Sequence, residues 1–166
     1  MTIHNVQELC ESTREMLKQV IELIEPFLNR VTLAGLNPNQ DPSLDEFYRG
    51  FLSDMRYLLV YSDINYEKLG NVLRRPTFNT EHAERVLYET YHQAVNHFFY
   101  PKHECYSEDG RYAYTGQDAI RFRKKPVREV RDLTIALSKI FEELREDLAY
   151  YETDYITQRR LKGEKA

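Results

Sequence analysis

YHQAVNHFFYPKHECYSEDGRYAYTGQDAIRFRKKP, residues 91–126, decides how this chain is read, because a helical pattern stops inside it and a compact run of His, Cys, Tyr, Gly and Arg takes over. On its N-terminal side Ala83, Leu87, Tyr91, Ala94 and Phe98 recur at helical steps, marking one face of a helix that starts near Asn79 or Thr80 and is ended by Pro101. Further on, Glu108-Asp109-Gly110 is a turn signal between Cys105-Tyr106 and Tyr112-Ala113-Tyr114, and Ile120-Arg121-Phe122-Arg123 alternates apolar with basic. These residues predict a small antiparallel β insert near residues 103–124. Pro126 then suits the first turn of a last helix carrying Val127, Val130, Leu133, Leu137, Ile140, Leu144, Leu148, Tyr151 and Tyr155.

Upstream the pattern is helical throughout. Asn5 with Glu8 caps a first helix along Val6, Leu9, Thr13, Leu17, Val20, Ile24, Phe27 and Leu28, which Pro26 should kink or end. Gly35 and the run Asn37-Pro38-Asn39-Gln40-Asp41-Pro42 read as a linker. Ser43 with Glu46 forms a capping box ahead of the stripe Leu44, Phe47, Phe51, Met55, Leu58 and Leu59. That stripe weakens around Ser62-Asp63-Ile64-Asn65, where a break is expected, and resumes until Arg74-Arg75-Pro76. The last helix, about 34 residues at about 1.5 Å each, would span roughly 50 Å, more than a compact bundle covers. Its end either projects, with Tyr151, Tyr155 and Ile156 forming a homodimer seam, or folds back on the bundle. The predicted fold is mostly α: a single domain over residues 1–166, built as a four-to-five helix bundle with the β insert.

At 166 residues the chain is long enough to bury one core. With 42% hydrophobic and 30% charged residues, 13 Tyr and 8 Phe, it is too aromatic to be disordered. A net charge of -4 gives no global attraction to nucleic acid or anionic membrane, so any polyanion site must be local. The N-terminal residues lack the basic start and apolar block of a signal peptide, and nowhere do 18 uninterrupted apolar residues occur. Two cysteines, Cys10 and Cys105, are too few for a disulfide framework. We expect a cytoplasmic protein that does not engage a membrane.

Three chemistries compete for residues 85–131. His97, His103 and Cys105, with Glu108 or Asp109, are zinc-ligand types without a standard zinc spacing. At about 100° per residue, His92 and His97 lie about 140° apart and do not share a helix face. Glu89-x-x-His92 is half of a di-iron pattern whose second half is missing, since the last helix contains no His. Cys105 beside Glu104 and Glu108 would have its thiol pKa pushed up, which makes a poor nucleophile. Arg85 and His92 form an Arg-x6-His pair resembling that of HEPN ribonucleases, with Glu89 and Asn96 beside them on a face opposite the core stripe; a solvated face with Arg85 pairing Glu89 is the plainer reading.

The third chemistry is binding. Arg111, Arg121, Arg123, Lys124, Lys125, Arg128 and Arg131 crowd together, interleaved with Tyr112, Tyr114 and Phe122. Basic side chains neutralise phosphates while aromatic faces stack on bases. The same charges also suit the acids of the last helix, Glu142, Glu143 and Glu146. Gly116 belongs to no phosphate loop. The expectation is a non-catalytic binding or scaffold module that contacts an acidic protein partner or nucleic acid through Arg111, Tyr112, Tyr114, Arg121 and Arg123, with no cofactor and no metal. The alternative is a hydrolase, through Arg85 and His92 or through metal on His97, His103 and Cys105.

The run FFYPKHECYSEDGRYAYTGQDAIRFR, with FLSDMRYLLVYSDINYEKLGNVLRR upstream and LREDLAYYETDYITQRR downstream, resembles the YpuI-like proteins of Bacillus and relatives, from about Leu44 onward. That resemblance implies a bacterial cytoplasmic protein and supplies no catalytic residues.

Overall fold

A helix begins where a side chain can satisfy its first free N–H groups, and Asn5 does so by accepting from the backbone of Gln7 and Glu8 at 2.8 and 3.4 Å. The computed structural model describes residues 5–100 and 126–163. Helix α1, Val6–Arg30, buries Leu9, Cys10, Thr13, Met16, Leu17, Val20, Ile24 and Phe27. Pro26 lies inside it, and of the two expected outcomes, a kink or an end, the helix does not end there. Its ring removes the bond to the Glu22 carbonyl, but Glu22 and Pro26 are both on the solvent side, where water can take that carbonyl.

The expected linker contains one helical turn, α2, Leu33–Leu36. Asn37 then closes the bend by accepting from the Asp41 N–H at 3.2 Å and donating to the Asp41 carbonyl at 2.9 Å, with Gln40 held at a left-handed φ of 53°. Helix α3, Pro42–Arg74, is capped by Asp41, whose carboxylate accepts from the Ser43 N–H at 3.0 Å, with Pro42 in the first turn. Ser43 is therefore inside the helix and not its cap. Nor does α3 break at Ser62–Asn65. Ser62 and Asn65 are buried against neighbouring helices, and Asn65 donates to the Tyr61 carbonyl at 2.8 Å within the helix, so these polar residues weaken the stripe without interrupting the ladder.

Asn79 caps α4, Thr80–Thr90, by accepting from the His82 N–H at 3.1 Å. The chain continues through a π-helical turn, Tyr91–Val95, into α5, Asn96–Phe99. After the undescribed residues, α6 covers Arg128–Asp147, a 3₁₀ turn covers Ala149–Tyr151, and α7 covers Asp154–Leu161. The long last helix expected from periodicity is thus broken at Leu148, and the chain beyond it folds back. Tyr151 and Tyr155 are only 2% and 5% exposed, so they are core residues of their own chain, and the homodimer seam drawn through them is replaced by an internal contact.

Helix α1 packs against α3, α4 and α6, and α3 packs against α4 and the π-turn. Large rings fill the centre: Phe98 stacks on Phe141 at 4.4 Å between centroids, and Phe27 meets Phe51 edge-on at 6.2 Å. Among the described residues all regular structure is helical and no helix is long and apolar enough to cross a membrane. The predicted β insert near residues 103–124 lies outside the described residues.

Phe98 and Phe141 are both fully enclosed. Truncating Phe98 to Ala should cost about 3–5 kcal/mol in urea unfolding. Combining it with Phe141→Ala should cost measurably less than the sum, because the two rings share one contact.

Candidate functional site

The polar chemistry of the described bundle collects along the seam where α3 runs antiparallel to α4, the π-turn and α5. Lys68 pairs with Glu89 at 2.8 Å, Asn65 donates to the Gln93 side-chain oxygen at 3.0 Å, and Asp54 faces His97 with 3.4 Å between Oδ1 and Nε2. Sequence spacing explains why the last of these needs the π-turn. In an unbroken α-helix Glu89 and His97, eight residues apart, would diverge by about 80°. One residue inserted as a π-turn sets everything after it back by about 100° of phase, which returns His97 to within about 20° of the row. Gln93 and His97 can then both meet α3.

The seam becomes drier towards Asp54. Lys68 and Glu89 are partly exposed, whereas the Asp54 side chain is 0% and that of His97 4% exposed. Neither Asp54 oxygen has a hydrogen-bond partner, and neither does His97 Nε2. The Tyr57 ring stacks on His97 at 3.8 Å between centroids and fixes the imidazole plane. A buried carboxylate without hydrogen bonds is costly, by several kcal/mol, unless a cation or proton accompanies it. Asp54 was not singled out by sequence reasoning, although a signal existed. With Phe47, Phe51 and Leu58 it occupies the helical positions of the core stripe, where a carboxylate is out of place.

The nuclease-like pair is arranged differently. Arg85 is exposed, and Glu89 pairs with Lys68 across the seam where the sequence suggested Arg85. His92 is half-buried between Tyr88 and Tyr91, at 4.3 and 5.1 Å, with Nε2 3.1 Å from the Tyr151 carbonyl. A carbonyl only accepts, so Nε2 must carry the hydrogen and is not the free base a nuclease would need. His92 is instead one of three clamps holding the folded-back C-terminal segment. The Tyr151 hydroxyl donates to Glu84 at 3.1 Å, and the Glu152 carboxylate meets the Tyr91 hydroxyl. Burial first, and then the neighbouring carboxylates, raise both tyrosine pKa values, which keeps their hydroxyls as donors. His92 and His97 serve different partners, consistent with the expectation that they do not share a site.

A cleft of about 290 Å³ opens between α4 and α7, lined in part by Glu81, Glu84, Tyr150, Tyr155 and Arg159; neither Arg85 nor His92 lines it. The residues assigned to binding, Arg111, Tyr112, Tyr114, Arg121 and Arg123, lie outside the described residues, as do His103 and Cys105. Among the described residues no group of three His, Cys, Asp or Glu converges as a metal site would require.

Cys10 is wholly buried, and burial, helped by Glu11 and Glu84, pushes its thiol from 9.0 up to about 12. It is a packing residue with no nucleophilic character. The unfolded thiol ionises near 9.0 while the folded one stays neutral to about 12, so Cys10 makes stability fall as pH rises through that window. The slope contributed is at most about 1.4 kcal/mol per pH unit. Cys10→Ala should flatten the alkaline limb of the urea midpoint against pH; an unchanged slope would contradict this assignment.

The chain is 32% identical over 147 residues to "Uncharacterized protein YpuI" of Bacillus subtilis (strain 168), covering 89% of this chain and 82% of the relative. No solved structure gives a significant match. A family model matches residues 10–157, nearly the whole described bundle together with the segment between its two parts, and the chain belongs to that family, described as Protein of unknown function (DUF3907).

Proposed function

We propose that the protein is a non-catalytic binding or scaffold module of the bacterial cytoplasm, a single helical-bundle domain that contacts an acidic protein partner or nucleic acid through its basic aromatic segment. Arg121 and Arg123 supply charge to that contact, with Arg111, and Tyr112 and Tyr114 supply flat apolar faces. The observation that carries this reading is how firmly the segment's two flanks are rooted in the bundle. On one side Phe99 is buried under the Arg145 guanidinium, 4.6 Å from its ring centroid. On the other, Pro126 is buried and the Val127 N–H donates to the Tyr48 hydroxyl at 3.0 Å. A basic segment tied at both ends to a packed core loses less conformational freedom on binding than a free tail would.

His92 Nε2 is committed to the Tyr151 carbonyl, so that nitrogen is not free to serve as the base of an Arg85–His92 pair.

The test is fluorescence anisotropy with two probes, a labelled single-stranded oligonucleotide and a labelled Glu-rich peptide. The double variant Arg121→Ser/Arg123→Ser should bind more weakly while keeping the same far-ultraviolet circular dichroism. If the oligonucleotide is the better probe, the slope of log affinity against log salt should shrink by about 1.4 for two lost phosphate contacts. Affinity unchanged for both probes would overturn the proposal.

A further inference from the structure

Two arginines from different helices meet over one glycine of α3, and neither has a carboxylate. Arg14 reaches across from α1 and lays its guanidinium 4.1 Å from the centre of the Tyr66 ring. Gly70, one turn further along α3, supplies the rest of the slot: a Cβ there would stand 3.1 Å from Arg14 Nε and 3.2 Å from Arg74 Nη1. Glycine is a poor helix former, yet Gly70 lies inside a 33-residue helix, and its missing side chain is what lets the two guanidinium groups converge. Like charges held together repel unless an opposite charge joins them. None of the ion pairs among the described residues includes Arg14 or Arg74. Arg74 donates through Nη2 to the neutral side-chain oxygen of Asn71, which leaves Nη1 over Gly70. Of the three Arg14 nitrogens only Nε is enclosed without an acceptor, so the outer edge of the fork is open. The place of Arg74 in the last turn of α3 suits the helix dipole, but that does not account for Arg14, which belongs to α1.

We propose that Arg14 and Arg74 form an anion site for a phosphoryl group, carried by free phosphate or by the phosphomonoester of a small molecule. Guanidinium presents paired N–H donors that match phosphate oxygens, and two cations neutralise a dianion that one alone would leave half-charged. The Tyr66 ring and Gly70 fix the plane of the Arg14 fork before the anion arrives, so less side-chain freedom is lost on binding. Arg74 is exposed and Arg14 half-buried, so the anion is reached from solvent without opening the core. This inference uses no residue of the basic aromatic segment and is independent of the binding role proposed for it.

The experiment is NMR titration of the full chain at neutral pH and matched ionic strength with inorganic phosphate, ribose 5-phosphate and, as a control, acetate. The arginine Nε–H resonances are the readout. The Arg14 and Arg74 signals should shift together and saturate at one anion per chain, with phosphate well ahead of acetate. Removing either fork, in Arg14→Gln or Arg74→Gln, should weaken phosphate binding at least about tenfold, the equivalent of one charge-assisted hydrogen bond. Gly70→Ala should fold as well as the parent, because alanine is the better helix former, and should bind phosphate more weakly by crowding Arg14. Tighter binding of ribose 5-phosphate than of phosphate assigns the site to a phosphomonoester; otherwise it is a site for the free ion. Shifts that fail to saturate, an equal response to acetate, or unaltered affinity in Arg74→Gln would overturn the proposal.

Discussion

Residues 89–99 must satisfy two demands that a straight α-helix cannot meet together. They bury Tyr91, Ala94, Val95, Phe98 and Phe99 in the core, and they present Glu89, Gln93 and His97 to α3. The inserted residue of the π-turn resolves the conflict by resetting the phase between the two halves. Much else follows from that. Phe98 reaches Phe141 on α6, His97 reaches Asp54 on α3, and His92 reaches the Tyr151 carbonyl, so one irregular turn touches the three parts of the fold that follow or precede it.

The polar seam contributes alignment more than raw stability. Lys68 with Glu89 is partly exposed, and such a pair is worth at most about 1 kcal/mol. The Asn65–Gln93 hydrogen bond is deeper, and breaking it would strand polar atoms away from water, while Asp54 and His97 face each other at 3.4 Å, both buried, without a hydrogen bond. Apolar burial drives the helices together, while these pairs penalise any sliding of α4 and α5 along α3, since a displaced register would leave a buried amide or carboxylate facing hydrocarbon. The C-terminal fold-back uses similar chemistry, with Glu84, Tyr91 and His92 fixing Tyr151 and Glu152 in place of a projecting helix.

Much of this architecture could be read from the sequence, and the exceptions share a cause. The cap at Asn5, the helix start near Asn79 or Thr80 and the stripes of α1, α3 and α6 follow from local spacing, and all are present. Ser62 and Asn65 looked like a break because local pattern treats polar residues as exposed, whereas they are buried against partners distant in sequence. The fold-back was one of two expected outcomes, but the bend at Leu148 could not be placed, because Leu144, Leu148, Tyr151 and Tyr155 keep helical spacing across it. Among site residues, His97 was noticed without its partner: Asp54 could be seen in the sequence only as a carboxylate in the core stripe, and its position opposite His97 emerged only from the antiparallel register. Arg111, Tyr112, Tyr114, Arg121 and Arg123 remain a reading of charge and aromatic pattern.

The central claim is that the π-turn aligns α4 and α5 with α3 through paired buried polar groups. A double-mutant cycle on Asn65→Ala and Gln93→Ala, read by urea unfolding, tests it most directly, because this pair ties the turn, through Gln93, to α3, through Asn65. The account predicts a coupling energy of at least about 0.5 kcal/mol between the two positions. Strictly additive effects would mean that the side chains do not meet, and the register built on them would be wrong.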